Sequence, residues 1–547
     1  MIFKALLPLA AAFVSLGATA PLPPLTPAEQ LATNTVRAYV EFLTDDRLEG
    51  RDTGSRGHEI AAQYVASQYR LLGLEPGGSD GSWFVQVPLR RATTVQPGPT
   101  FTLTVGGRAI PLRPGIDAAI RPSLTERHRD LSADLVFVGF GLDEPGLGFD
   151  DYRGLDVRGK IVVALGGTPT NLPTEIAAHL RSAKSDAAAV HGALGLIEIA
   201  GPGPRGDRAS DVAGAARRPA LNWFDGTKSG ESAGLRANLT LSSEWQARLF
   251  DGTPRSLAAL RDEAKSASPR GFPLPARLAF TADSAWTDFT SPEVIGRLPG
   301  TDPVRKAENV ILMAHLDHLG MKDDAKPGEH AVYNGALDNA AGVATMLEAA
   351  REFVANGQRP ARSVLFIANT GEERGLLGAD YLAVHPTVDP RSITSVVDLD
   401  MPLPLYDFTD VIAFGADHST VAQTIADAGQ AMGISVSPDP MPQESIFTRS
   451  DHYRFVRRGV PAILMMTGYA NGGEAVWKHF LAKVYHSPAD NLSQPILWRA
   501  LARYGTLSYR IASALANALD RPRWYAGDYF GDKFAPGEKR ALKRAAE

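Results

Sequence analysis

The 547-residue sequence contains no cysteine. Disulfides, thiolate catalysis and thiolate metal ligands are therefore excluded together, and any bound metal must rely on His, Asp and Glu. Charge of one sign is also scarce. A formal net charge of −5 over this length gives no basic surface for nucleic acid or an anionic membrane. No basic reading helix or zinc-finger spacing is present. Beyond the N-terminus, no apolar run is long enough to span a bilayer. What is there is ordinary globular composition, 44% hydrophobic and 21% charged, in a chain long enough for more than one domain.

The first twenty residues, MIFKALLPLAAAFVSLGATA, carry one early cation (Lys4), an apolar run over 5–16, and small residues at Gly17, Ala18 and Ala20. This layout predicts a signal peptide over 1–20, and hence an exported, periplasmic or extracellular protein. Residues 34–74 show helical spacing of apolar positions and end in glycine. From 98 to 285 the texture changes to short strand-like runs (FTLTVGG, ADLVFVGFGL, GKIVVALGG, GALGLIEIAG, ARLAFTA) split by Gly, Pro and charge. This predicts a separate, mostly-β module with an exposed loop over 201–219. After 291, strand-like NVILMAHL, SVLFIANT, SITSVVDLDM and PAILMMTG alternate with helical segments, and a long helix is expected at 495–519. Such alternation predicts an α/β layer fold with a largely parallel sheet, whose sites lie at the carboxyl ends of strands.

Those ends carry the chemistry. AHLDHLG supplies His315, Asp317 and His318. NTGEERG supplies Glu372 and Glu373. DLDM supplies Asp398 and Asp400. GALDNAAG places Asp338 before a helix, and VYHSPADN brings Tyr485, His486 and Asp490. Each alone reads as a cap, a turn or a satisfied side chain; together they form a sulfur-free N/O set suited to zinc or a similar ion. With Asp338, Glu373 and Asp400 ionised and His315 and His486 neutral, the ligands carry three negative charges. Two divalent ions and a bridging hydroxide bring the sum to zero, with Asp338 the natural bridge. The adjacent glutamates then divide the work: Glu373 as ligand and Glu372 as general base.

These pieces, with SDHYRFVRRGVPAI at 450–463 and RLEGRDTGSRG near the start, resemble peptidase family M28, the di-zinc aminopeptidases. LVFVGFGLDEPGLGFDDYRGLDVRGKIVVALGG and GALGLIEI resemble the protease-associated (PA) domain that many members carry as an insertion. The resemblance implies an α/β/α sandwich with a mainly parallel mixed central sheet, the zinc exopeptidase fold. It implies two Zn2+ per chain, one on His315 and Asp400 and one on Glu373 and His486, bridged by Asp338. Glu372 would be the base, and Tyr485 would help stabilise the tetrahedral oxyanion. Asp317 would orient His315, with His318 and Asp490 in supporting positions and Ser450, Asp451 and His452 near the pocket. A cis peptide is expected at Asp338–Asn339.

The implied organisation is a signal peptide (1–20), an N-terminal part of the catalytic domain (21–97), a PA-type insertion (98–285), the metallopeptidase domain (286–520) and a C-terminal tail (521–547). The implied function is an exported exopeptidase that hydrolyses N-terminal residues from peptides by a two-zinc, bridging-hydroxide mechanism, with peptides as partners and no nucleic acid. A carboxypeptidase or dipeptidase on the same site, and an inactive binding or receptor relative, are the competing readings.

Overall fold

The structure is a computed structural model and describes residues 24–201, 211–227, 230 and 234–543. The predicted signal peptide and residues 202–210 of the predicted loop lie outside these. α1 (Pro27–Leu43) opens on a capping box, in which Thr26 and Glu29 satisfy each other's backbone amides. α2 (Arg56–Leu71) is capped by Ser55. The single helical stretch predicted over 34–74 is thus two helices. A turn at Asp46–Arg51 divides them, with Glu49 and Gly50 at φ of 49° and 68°. Gly50 has to be glycine: a Cβ there would lie 2.2 Å from the Gly320 carbonyl oxygen.

Two sheets share one strand. The principal strands in chain order are β1 (Phe84–Thr94), β2 (Thr100–Val105), β3 (His128–Phe137), β4 (Ile161–Leu165), β5 (Gly195–Ile199), β6 (Ala237–Leu241) and β7 (Phe272–Leu298). The first half of β7 pairs with β2 and β3, and the sheet continues through parallel β4, β5 and β6. From Ser284 onward β7 pairs with β1, and from Val294 to Leu298 with the second sheet's neighbour strand, described next. This 98–285 region is less purely β than its sequence texture predicts. Between its strands lie α3 (Thr174–Ser182) and short helices at Lys184–Val190, Val212–Arg217, Ser243–Arg248 and Leu257–Glu263. The first two come from the alanine-rich stretch EIAAHLRSAKSDAAAV, whose helix propensity outweighs its lack of a long apolar face.

The other sheet adds β8 (Asn309–His315), β9 (Ser363–Asn369), β10 (Ile393–Leu399), β11 (Asp410–Phe414) and β12 (Ala462–Thr467). Its order is β1–β7–β9–β8–β10–β12–β11, with Ala220–Trp223 added antiparallel to β1 at one edge and Ser435–Ser437 parallel to β11 at the other. The four strands β9, β8, β10 and β12 are mutually parallel, β1 and β7 run antiparallel to their neighbours, and β11 runs antiparallel to β12. Helices α4 (Ala341–Ala355), α5 (Leu377–Val384), α6 (Val421–Gln430), α7 (His452–Val456), α8 (Gly473–Lys483), α9 (Trp498–Asn517) and α10 (Tyr529–Phe534) complete it.

Both faces of the parallel strands are covered, which is why they read as unbroken apolar runs. Val310 and Leu312 point to a core built with α1, α2, α4 and α9; Ile311 and Met313, one residue out of phase, point to a core with Phe455, Trp477, Phe480 and Phe530. Each such buried side chain contributes about 1.5–3 kcal/mol. The result is an α/β/α sandwich with a mainly parallel mixed central sheet. No helix among the described residues is long and apolar enough to cross a membrane.

Candidate functional site

Because β8, β9 and β10 are parallel neighbours, their carboxyl ends open on one side. His315 lies level with Asn369, and Met313 with Asp398. The residues just past those ends, Asp317, His318, Glu372, Glu373 and Asp400, therefore meet in space although they span more than eighty positions of chain. Asp338 enters from a single helical turn, Ala336–Ala340, ahead of α4, and its peptide to Asn339 is cis. Asp490 holds that turn by accepting the amides of Leu337 and Asp338 at 2.9 and 3.0 Å. His486 arrives after α8 with φ of 52°.

The geometry divides around Asp338. Its Oδ1 is 3.2 Å from His315 Nε2, which in turn is 3.1 Å from Asp400 Oδ1. Its Oδ2 is 3.3 Å from His486 Nε2, which is 3.1 Å from Glu373 Oε2. One carboxylate thus serves two sets of ligand atoms, one through each oxygen. His315, Asp338 and Asp400 form one group whose ligand atoms all lie within 4.8 Å of one another; His318, Asp338 and Glu373 form a second. His318 donates from Nδ1 to Glu373 Oε1 at 2.6 Å, and its buried Nε2 has no protein partner. His318 was expected only in a supporting position, and it sits as close to Glu373 as His486 does.

Second contacts fix these groups. His315 Nδ1 donates to the main-chain carbonyl of Asp317 at 3.1 Å. The orienting partner is therefore that carbonyl, and the expected Asp317 carboxylate is used elsewhere. It accepts from Thr53 Oγ1 at 2.9 Å and from the Glu372 amide at 3.2 Å, so it positions the loop of the two glutamates. Ser450 Oγ lies 2.9 Å from Asp398 Oδ2 and 3.0 Å from Asp400 Oδ2. Asp451 accepts from Asn369 at 2.6 Å. Arg51, fully buried, donates to the carbonyls of Leu316, Asn334 and Gly335 and so ties the β8 exit to the turn carrying Asp338. Arg51 also donates to the Leu43 carbonyl, but the partners that tie it to the site lie 265 to 284 positions away, where no local pattern marks them.

The electrostatics call for cations. Burial would raise the carboxyl of Asp338, but hydrogen bonds from His315 and His486 outweigh it and hold the group below the usual range. His486 is lifted to about 10: burial pulls it down, and the Asp338 and Glu373 carboxylates pull it further up. Glu372 is pushed well up by burial and by repulsion from Asp400 and Glu373, only partly offset by His315. The same carboxylates that raise His315 and His486 would hold a divalent ion, which would take the place of the imidazoles' second protons. Clustered buried oxygens and imidazoles with a surplus of negative charge fit zinc.

Beside the cluster opens a pocket of about 70 Å³. Its wall combines the carboxylates of Asp338, Glu372 and Asp400 with the apolar side chains of Met401, Ile446, Leu464, Met466, Trp477 and Leu481, and includes Glu444 and Arg449. Tyr485 lines it too, its ring stacked on His486 with centroids 3.8 Å apart. These apolar wall residues come from four separate segments and carry no local motif, so nothing in the order of residues groups them.

Residues 293–512 match peptidase family M28. Among curated proteins, the vacuolar membrane protease of Yarrowia lipolytica is 24% identical over 208 residues, 38% of this chain and 18% of that protein. Leupeptin-inactivating enzyme 1 of Streptomyces exfoliatus is 28% identical over 230 residues, 39% of this chain and 45% of its own length. The chain therefore spans less than half of either curated relative. Among solved structures, an aminopeptidase from Aneurinibacillus sp. strain AM-1 aligns at 20% identity over 89% of this chain and 95% of its own, with a TM-score of 0.49. A zinc aminopeptidase from Bacillus subtilis aligns at 18% over the same shares, with a TM-score of 0.42.

Proposed function

We propose that this chain, whose residues 293–512 match peptidase family M28, is an exported metal-dependent exopeptidase that removes N-terminal residues from peptides. The observation that carries the reading is the division of Asp338, one oxygen toward His315 and Asp400 and the other toward His486 and Glu373. That arrangement supports two zinc ions per chain, held by those five residues. When bound, the zinc ions supply Lewis acidity, making water a stronger acid and the scissile carbonyl a better electrophile.

The chain's own groups do the rest. Glu372 stands at the pocket with no metal role assigned to it. Its carboxylate takes the proton of the attacking water and returns it to the leaving amine. Cations nearby favour its ionised form, which burial and its acidic neighbours otherwise oppose. Burial, with repulsion from Asp338 and Glu373, raises the Tyr485 phenol, so it stays protonated and can donate to the oxygen that gains charge. The apolar side chains of the pocket wall suit one substrate side chain, and its carboxylates favour the ammonium of a free N-terminus.

A panel of aminoacyl, N-acetyl-aminoacyl and C-terminal reporter substrates tests this. Free aminoacyl substrates should be cleaved and N-acetylated ones left intact. Preference for the C-terminal reporters would move the assignment to a carboxypeptidase or dipeptidase, and no cleavage of any would favour the inactive relative.

A further inference from the structure

The pocket wall formed by Glu444, Ile446 and Arg449 lies on two single turns, Pro442–Glu444 and Ile446–Thr448, joined at Ser445 with φ of 52°. Its internal hydrogen bonds are all short-range, the amides of Glu444, Ser445, Thr448 and Arg449 each reaching a carbonyl three residues back, so its placement against the rest of the fold depends on outside contacts. Its outer side packs under α3, which belongs to the other sheet's unit. Ser445 Oγ reaches the Thr174 carbonyl at 3.4 Å, and Ile176 packs against the core that includes Met441 and Phe447.

Two further contacts fasten α3 to the catalytic side. His179 Nδ1 and the Tyr453 hydroxyl are 2.7 Å apart, and the His179 ring lies against Phe530 and Phe534 of α10. Tyr453 follows Ser450, the residue between Asp398 and Asp400, by three positions. Glu175 Oε2 sits 2.9 Å from His418 Nε2, and the other nitrogen of that ring, Nδ1, is 2.6 Å from Asp528 Oδ2. The imidazole of His418 thus links α3 to the segment before α10, and its ring is 4.8 Å from that of Phe447, inside the pocket loop. With a carboxylate at each nitrogen, only the doubly protonated ring satisfies both partners.

We propose that α3 sets the shape of the substrate pocket from outside, and that Glu175, His418 and Asp528 are positioning residues that clamp it against the 441–449 loop. None of the three lines the pocket, so they act through Ile446 and Arg449 and not on the reacting atoms. The substrates affected are those whose N-terminal side chain is large and apolar enough to press on that wall. The inference rests on the peptidase reading for its kinetic test and is independent of it for its structural one.

The experiment uses the full chain with Glu175→Gln, His418→Gln and the double variant. For leucyl substrates KM should rise roughly five- to twentyfold while kcat stays within about twofold, and for alanyl substrates neither should move by more than about twofold. Glu175→Asp should recover part of the loss. The double variant should be no worse than the worse single one, because the residues act as one unit. Hydrogen exchange over 441–449 should quicken in each variant while β8 exchange is unchanged. Equal effects on leucyl and alanyl substrates, or an unchanged KM ratio, would overturn the proposal. If the wild type cleaves nothing, the peptidase reading fails, and exchange over 441–449 alone decides the clamp: unchanged exchange refutes it. Should a glutamine variant fold poorly, Glu175→Asp and its exchange profile decide in the same way.

Discussion

Glu373 divides its two oxygens between His318 and His486, whereas Glu372, its neighbour in sequence, turns to the pocket. Substitutions at the two positions should therefore fail differently. Glu372→Gln keeps the shape and loses the proton acceptor. It should retain the metal content of the wild type and lose about 10²–10⁴-fold in kcat. Glu373→Gln removes a charge from the ligand set. It should lose metal first, and added zinc should return part of its activity. Metal analysis beside kcat separates the outcomes, and the reverse pattern would exchange the two roles. The grouping of these side chains was legible because each candidate ligand lies within a few positions of an apolar run or a helix start. The role of the Asp317 carboxylate was not. Its backbone carbonyl and its side chain serve different partners, and sequence does not distinguish which of the two faces His315.

At the scale of elements, the turn before α4 shows how a short segment is kept in place. It carries Asp338 at its centre, and its stability depends on Asp490, more than 150 positions away, accepting two of its amides. Asp490→Ala leaves two buried donors without partners, each worth about 1–3 kcal/mol. A lowered melting temperature and metal affinity weaker by about 10–100-fold should accompany it; thermal denaturation and metal titration measure both. Unchanged affinity would mean the turn holds its shape without this support. Strands β8, β9, β10 and β12 were evident from their apolar runs, and the alternation with helices predicted the parallel sheet they form. The break at Asp46–Arg51 was not, because the close approach of Gly50 to Gly320 that requires it is a tertiary event. The alanine-rich helices near 174–190 lacked an apolar stripe long enough to outweigh the surrounding strand-like runs.

Across the whole molecule, His418 couples separate parts of the chain through charge. Burial lowers its pKa, but Asp528 and Glu175 outweigh burial and lift it to about 9, with Asp439 adding negative charge beside Glu175. A histidine raised in this way stabilises the folded state fully below its unfolded value near 6.5 and loses that contribution as pH climbs through about 9. The amount is on the order of 3 kcal/mol. The melting temperature of His418→Gln should therefore fall furthest below the wild type near pH 6, and the gap should narrow by pH 9.5. A gap that stays constant would show that the ring is not charged in the folded protein. β7 has another consequence. Thr94 and Ser284 sit directly opposite one another where the strand passes between the sheets. The stretch from 95 to 283 thus leaves and returns at a single rung of a ladder, and sends one strand, Ala220–Trp223, back to pair with β1. In evolutionary terms this is an insertion point at one edge of the sheet: a gene could gain or lose that stretch, closing the scar with a two-residue hairpin turn and losing only the edge strand Ala220–Trp223, with the pairing order from β1 to β11 intact.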